Sequence, residues 1–451
     1  MTALLDAGTP TAERKRNLKD ANAGRTVSAL AALLVTLPFD LGLVALALLL
    51  RRPDPLAQPV PKTSRTVLIT GGKMTKALQL ARSFHSAGHR VVLVEAPKYR
   101  FTGHRFSRAV DAFHCVPEPT APGYAEALLA IAVLERVDVF VPVSSPAASL
   151  HDARAGELLG GLCDVVHADT ATVQMLDDKA KFSRAAASLG LRVPDFHRIT
   201  DAREVVDFDF PEGRQYILKR IAYNPVGRMD LTPLSRATPE RNAAFARSLS
   251  ISEDDPWILQ EFVEGQEYCT HGTVRDGWLQ VYGCCESSAF QINYASVDKP
   301  EIRSWVEEFV GALELTGQAS FDFIEAADGH AYAIECNPRT HSAITMFYDH
   351  PEVAPAYLED GHPVITPRPG ARPTYWIYHE VWRLLTEPGR RGRLSTILRG
   401  KDAIFTWWDP LPYLMVHHLQ IPSLLLRNLL HRRGWTRVDF NIGKLVEAGG
   451  D

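Results

Sequence analysis

Asp322, Glu335, Asn337 and Arg339 are the residues whose types and spacing most plainly suit chemistry. They lie in SFDFIEAADGHAYAIECNPRTH, where two alternating runs, 319–325 and 330–335, flank Ala-Asp-Gly. Asp328-Gly329 is a hairpin turn signal, and a hairpin puts Asp322 and Glu335 on neighbouring strands, where they can share one face. Asn337 and Arg339 follow at alternate positions. Two carboxylates and a carboxamide oxygen are hard ligands of the kind Mg²⁺ takes when it also holds phosphates. An arginine beside them can clamp a phosphoryl oxygen or an anionic substrate.

Two lysines stand upstream, forty residues apart. Asp177-Asp178-Lys179 opens a helix that runs to about Leu189 and ends at Gly190. Lys219 sits in QYILKR, which reads as a strand. Point charges on flexible stems suit the α- and β-phosphates of a nucleotide.

Lys179, Lys219, then Asp322 and Glu-x-Asn-Pro-Arg, in that order, resemble the ATP-grasp superfamily. Its members phosphorylate an acid and then attach a nucleophile. The resemblance implies ATP with Mg²⁺, two ions or Mn²⁺ in their place, held by Asp322, Glu335 and Asn337. It gives Lys179 and Lys219 to the phosphates, and catalytic roles to Lys219, Asn337 and Arg339. It also implies an adenine hinge at Gln260, Glu261, Phe262 and Val263, with Glu267 at the ribose hydroxyls. Residues 221–231 would close over the phosphates; this stretch has a single glycine, so closure would use Asn224, Gly227 and Arg228.

These residues need a scaffold. Residues 66–70 (TVLIT) read as a buried strand running into Gly71-Gly72-Lys73, then a helix over 76–87 and a strand over 90–95. That is a βαβ unit with a glycine turn at a helix N-terminus, a ready anion site. The glycines are not GxGxxG, so Gly72 and Lys73 are assigned to substrate. A strand over 137–143 ends at Ser144-Ser145, which are crevice contacts or simple helix caps. A second turn at Asp276-Gly277 joins strands over 268–274 and 278–284. Residues 286–294 are a substrate-facing loop, and 298–315 an amphipathic helix.

The fold class that the resemblance implies is α/β (α+β): an ATP-grasp fold behind an N-terminal βαβ domain, with an apolar N-terminal helix and a C-terminal helical extension. The expected divisions are a disordered tail (1–25), an apolar membrane-associated segment (26–52), a linker (53–64), the pre-ATP-grasp domain (65–175), two ATP-grasp subdomains (176–250 and 251–350) and a C-terminal region (351–451).

A chain of 451 residues with 46% apolar and 23% charged content is globular and multidomain. A net charge of −4 leaves no basic excess for a nucleic-acid partner. Six cysteines without CxxC or zinc spacing read as reduced thiols. Residues 26–50 are long enough to cross a bilayer but carry Pro38 and Asp40. They fit a spanning helix, a broken or interfacial segment turning at Pro38, or a helix packed on the body. Membrane contact through 26–50, with the catalytic body on the cytoplasmic face, is the expectation. Residues 410–433, strongly apolar with a basic end, are a core helix or a second membrane contact.

The stretches GGKMTKALQLARSFHSAGHRVVLVE, CTHGTVRDG, SSAFQINY, AIECNPRTHSAITMFYDHP, PTYWIYHEVWRL and VDFNIGKLVEAGGD resemble a narrower family. This is the ATP-grasp ligase family of mycosporine-like amino acid biosynthesis, and the likeness runs from Thr66 to the end. It implies joining of glycine to 4-deoxygadusol with release of ADP and phosphate. The cyclohexenone is a vinylogous acid whose enol oxygen would take the phosphoryl group. His271, Arg275 and His341 then become substrate contacts or proton acceptors. An ordinary carboxylate–amine ligase and a non-catalytic nucleotide-binding scaffold at a membrane are the rival readings.

Overall fold

The computed structural model describes residues 22–143, 145–222, 230–287, 293–386 and 390–447. The first domain is a parallel sheet whose three central strands are apolar runs buried on both faces. Its strands are β1 (Thr66–Ile69), β2 (Arg90–Glu95), β3 (Ala112–Cys115), β4 (Val139–Val141) and β5 (Asp164–Val165), in the order β3-β2-β1-β4-β5. The order reverses between β1 and β4, which opens a crevice at the carboxyl ends of those strands. Gly71 turns the chain there at φ +67°, and a Cβ at this position would lie 2.1 Å from the Val143 carbonyl oxygen. No other residue type fits that turn.

A small antiparallel sheet follows, of β6 (Phe196–Ile199), β7 (Tyr216–Arg220) and β8 (Trp257–Glu261), in the order β6-β8-β7. β8 lies beyond residue 250, yet it pairs with both β6 and β7. The boundary expected at 250 therefore falls after β8. The third sheet is β10-β9-β12-β13, containing β9 (Gly265–Arg275), β10 (Trp278–Glu286), β12 (Gly317–Ala326) and β13 (Ala331–Asn337). Asp276 and Gly277 at φ +46° and +76° make the β9–β10 turn, the left-handed pair that matches strand twist. Helix Pro300–Ala312 lays Trp305 and Phe309 over Phe321 and Phe323, and Phe182 of helix Lys179–Ser188 joins that aromatic core. Helix Lys179–Ser188 thus packs with the third sheet, although it precedes the second in sequence.

The C-terminal region closes on the first domain. A small sheet joins β11 (Asn293–Tyr294), β14 (Thr374–Tyr375) and β15 (Lys401–Asp402). Asp409, fully buried, accepts from Arg82 Nε at 2.9 Å, Ser107 Oγ at 2.6 Å and the Arg108 amide at 2.8 Å. The Asn441 carbonyl accepts from the Thr75 amide, and Trp376 Nε1 donates to Thr75 Oγ1. Helix Thr75–Ser86 is consequently buried on almost every side.

The N-terminal apolar segment is one helix, Asn22–Leu50, continuous through Pro38. A break at Pro38 is not found, and residues 22–25, expected in the tail, form its first turn; the rest of that tail lies outside the described residues. Thr26, Leu33, Asp40 and Ala47 recur every seven residues and are buried with Val44 against the C-terminal region. Asp40 is the fastener: its carboxylate accepts from Tyr378 at 2.6 Å and Tyr413 at 3.2 Å, and lies 2.7 Å from His418 Nε2. Burial works against this charge, but the hydrogen bonds from His418 and Tyr378 outweigh it and hold its pKa below the usual carboxylate range. The linker is pinned as well, through Ser86 Oγ to Asp54 and the Gln58 amide to the Ser86 carbonyl. Five of the six cysteines are buried, and Cys269 and Cys285 bring their sulfurs within 3.3 Å of each other.

Asp40→Ala takes the acceptor from Tyr413 and His418 and leaves Tyr378 with Thr36 Oγ1, which should cost about 2–3 kcal/mol. Denaturant unfolding and trypsin cleavage after Arg51 should both report it; unchanged stability and cleavage would mean the helix is held without Asp40.

Candidate functional site

The β12–β13 register pairs Asp322 directly with Glu335 and Ser320 with Asn337. Alternation along paired strands brings both carboxylates and the carboxamide to one face. Asn337 Nδ2 donates to Asp322 at 3.3 Å, and its Oδ1 accepts from Arg339 Nη2. Lys179 Nζ lies 3.2 Å from Glu335. Lys219 donates to Gln260 Oε1 at 3.1 Å, and Gln260 donates on to the Ile334 carbonyl. Three elements therefore aim cations at one carboxylate pair: helix Lys179–Ser188, strand β7 and the loop after β13.

The electrostatics are those of a charged cluster. Burial and the Glu335 charge push the Asp322 pKa well above the carboxylate range. Burial would raise Glu335 too, but Lys179 and Lys219 overcome it and hold its pKa low. Glu335 raises Lys179, whereas burial outweighs it at Lys219 and lowers that lysine. The two carboxyls are thus pushed apart, Asp322 up and Glu335 down, and a divalent cation between them would favour the ionised form of both.

The donor set fits Mg²⁺. No group of three His, Cys, Asp or Glu side chains gathers among the described residues. Two carboxylates and Asn337 instead suit an ion that completes its shell with phosphate oxygens and water. Arg339 Nη1 is buried without a hydrogen bond and lies 3.6 Å from Asp177. That leaves a guanidinium donor for a further oxygen.

Residues assigned to the hinge and ribose divide. Gln260 is buried between Lys219 and Ile334, so its side chain positions the lysine. Glu261 lies 3.5 Å from Arg214 Nη1 and accepts from the Asp195 amide. Phe262 donates its amide to the Gln215 carbonyl, and Val263 follows in the connection to β9. Glu267 accepts from Ser287 Oγ at 2.9 Å, and its charge adds to the rise at Asp322.

The substrate assignments fare unevenly. Gly72 donates its amide to the Val94 carbonyl, while its own carbonyl meets Thr102 and His104. Lys73 and Ser145 line a cavity of about 270 Å³ at the β1/β4 crevice, with Glu95, Tyr99, Tyr124 and Asp152. Ser144 and the proposed phosphate loop at Asn224, Gly227 and Arg228 lie outside the described residues. His271 is fully buried; its Nδ1 accepts from the His341 amide, and burial pushes its pKa down to about 3. His341 caps a short helix (Ser342–Phe347), and burial beside Lys76 and Arg339 likewise takes its pKa to about 3. Both rings are neutral near pH 7.

Arg275 is a correction. Its guanidinium is saturated by Asp360, Asp164 and the Tyr357 carbonyl. It also sits six residues along β9 from Cys269, the partner of Asp322, about 20 Å at strand rise. It ties the fold together and does not reach the cluster.

Lys76 was missed. It opens the helix after the glycine turn and is buried, and its Nζ donates to the Thr340 carbonyl at 2.5 Å, one residue past Arg339. Burial, then Arg339 and Lys73, push its pKa down to about 7. Its place in GGKMTK, in the first turn of a helix at an anion site, was the available signal.

No family model and no curated protein matches the chain. Solved structures do. The β,γ-ATP complex of biotin carboxylase from Campylobacter jejuni aligns with TM-score 0.51 at 15% identity, over 65% of this chain and 72% of that one. N5-carboxyaminoimidazole synthetase from Staphylococcus aureus, complexed with ADP, aligns with TM-score 0.51 at 16% identity, over 69% and 81%. This chain has the ATP-grasp fold. At such identities the likeness is one of fold, and the chemistry must be argued from the residues above.

Glu335→Gln keeps the shape but removes the charge facing Lys179 and Lys219. ATP turnover should fall at least about a hundredfold while the circular dichroism spectrum is unchanged. Near-normal turnover at saturating Mg²⁺ would remove this cluster from the reaction.

Proposed function

We propose that this ATP-grasp protein is an ADP-forming ligase that phosphorylates an anionic acid oxygen and then joins the acid to an amine. The observation that carries the reading is the convergence of Lys179, Lys219 and Arg339 on the Asp322–Glu335 pair. Lys179 and Lys219 hold the nucleotide phosphates. Mg²⁺, held by Asp322, Glu335 and Asn337, supplies charge neutralisation for phosphoryl transfer. Arg339 meets the transferring phosphoryl group or the acid.

The substrate pair we propose is 4-deoxygadusol and glycine, a reading that rests on the sequence resemblance. The enolate oxygen attacks the γ-phosphorus as the bond to the β-phosphate oxygen breaks, and ADP leaves. The glycine amine then adds to the carbon bearing the phosphate. Phosphate departs with the former enol oxygen, and the nitrogen loses a proton to leave an enaminone. Holding the two reactants together does most of the work. The crevice carries charges of both signs, Lys73 paired with Glu95 at 3.5 Å and Asp152 on the same lining, which suits a small zwitterion. A plain carboxylic acid presents the same anionic oxygen to the same cations and is the second reading.

A binding scaffold could lose a metal ligand without loss of its role, whereas Lys179, Lys219, Asp322, Glu335, Asn337 and Arg339 are all present here. The direct test is incubation with ATP, Mg²⁺, 4-deoxygadusol and glycine. A new near-ultraviolet chromophore with stoichiometric ADP and phosphate is expected. ADP release only with simple carboxylic acids would favour the amide-forming reading, and no ADP with either would leave the scaffold.

Lys76 gives a second test. As the ammonium it draws an acid anion toward Arg339, so acid affinity should weaken as pH rises above about 7. Lys76→Met should raise the acid KM at least about tenfold, flatten that pH dependence and leave the ATP KM near its original value. Equal rises in both KM values would place Lys76 in the fold alone.

A further inference from the structure

The N-terminal helix is apolar all round, yet only one stripe of it is covered. Opposite Thr26, Leu33, Asp40, Val44 and Ala47, the side chains of Leu34, Val35, Phe39, Leu46 and Leu49 are exposed, Phe39 by 74% and Leu49 by 80%. Soluble surfaces rarely carry so long an apolar strip.

Neighbouring helices extend it. Tyr378, which touches Asp40, lies on helix Ile377–Thr386 three, four and seven positions before Val381, Trp382 and Leu385. Those spacings set all four on one helix face, and the last three are exposed. Helix Ile421–Leu430 packs on the N-terminal helix and exposes Leu426 and Leu430. An exposed tryptophan among leucines, with one polar edge, is typical of a water–lipid boundary.

Charge chooses the occupant. Residues 411–437 contain four arginines (Arg427, Arg432, Arg433 and Arg437, the last paired with Asp439 at 3.5 Å) and neither Asp nor Glu, in a chain whose net charge is −4. Arg25 and the Arg51-Arg52 pair stand at the two ends of the N-terminal helix. A symmetric pairing of two such faces would set arginine against arginine. An anionic headgroup layer is complementary to them.

We propose that this face docks on a lipid surface bearing anionic headgroups, with the N-terminal helix lying in the membrane plane and not crossing it. Crossing is opposed by the way the helix is held. Trp435 Nε1 donates to Thr26 near one end, Asp40 is fastened at the middle, and Ala47 is buried near the other. A 29-residue helix held from Thr26 to Ala47, over about 32 Å, cannot stand across a bilayer unless it leaves the body or drags the body into lipid. In the plane, the covered stripe stays on protein and the open stripe meets the acyl boundary.

The test uses the full chain made in a cell-free reaction with vesicles present, either phosphatidylcholine alone or phosphatidylcholine with phosphatidylserine. The proposal expects co-sedimentation with the phosphatidylserine vesicles, weakened by salt, with an N-terminal tag and the C-terminus both open to added protease. The exposed-face variant L34E/F39E/L46E should lower vesicle binding at least about tenfold with nucleotide binding unchanged. Sedimentation with neither vesicle overturns the proposal. A tag protected inside vesicles means crossing and overturns it. A vesicle-free dimer that this variant dissociates, without lipid binding, assigns the face to a second copy and overturns it as well.

Discussion

Two carboxylates directly opposite on paired strands, Asp322 and Glu335, set the constraint that the rest of this protein meets. Like charges at this spacing in a poorly solvated cleft cannot both ionise unless cations are supplied. The answer is the ring of Lys179, Lys219 and Arg339; the two lysines hold Glu335 low, while burial and the Glu335 charge push Asp322 up. Each cation comes from a different element, so the site exists only when the elements are assembled. Asp178 caps the helix that carries Lys179, accepting from the Ala180 and Lys181 amides. Gln260 steers Lys219 and fastens β8 to β13 through the Ile334 carbonyl. Asn337 links Asp322 to Arg339. Removing any one of these loosens a charge whose position matters to a fraction of an ångström.

The same assembly explains why the C-terminal region belongs to the body around this cluster. It covers the outer side of helix Thr75–Ser86 through Asp409, Trp376 and Asn441. That cover buries Lys76 at the rim of the cluster and lowers its affinity for a proton. A lysine in an exposed first helical turn would stay an ordinary solvated cation. The N-terminal helix packs on the far side of this region, sharing its core through Leu33 and Val44. The apolar segment is therefore joined to the body by packing as well as by its linker.

How much of this could be read from the chain follows from how local each signal is. The β12–β13 hairpin was legible because period-two alternation and Asp328-Gly329 fix both the turn and the register. The βαβ unit was legible for the same reason, with glycine forced at position 71 by the approach of Val143. Arg275 was misread because its partners, Asp164 and Asp360, lie 111 and 85 residues away. Lys76 was overlooked because what buries it arrives from beyond residue 340. Asp40 read as an interruption of an apolar run, and only Tyr378, Tyr413 and His418 turn it into an attachment point. Local periodicity gave the elements, and long-range polar pairing decided what each one does.

The central claim is that the acid's own oxygen takes the γ-phosphoryl group in the cleft formed by Asp322, Glu335, Lys179, Lys219 and Arg339. Mass spectrometry of the phosphate released after one turnover, with heavy oxygen at the reacting position of the acid, tests it most directly. The account predicts ADP together with phosphate carrying the heavy oxygen. Unlabelled phosphate, or AMP with pyrophosphate, would contradict it.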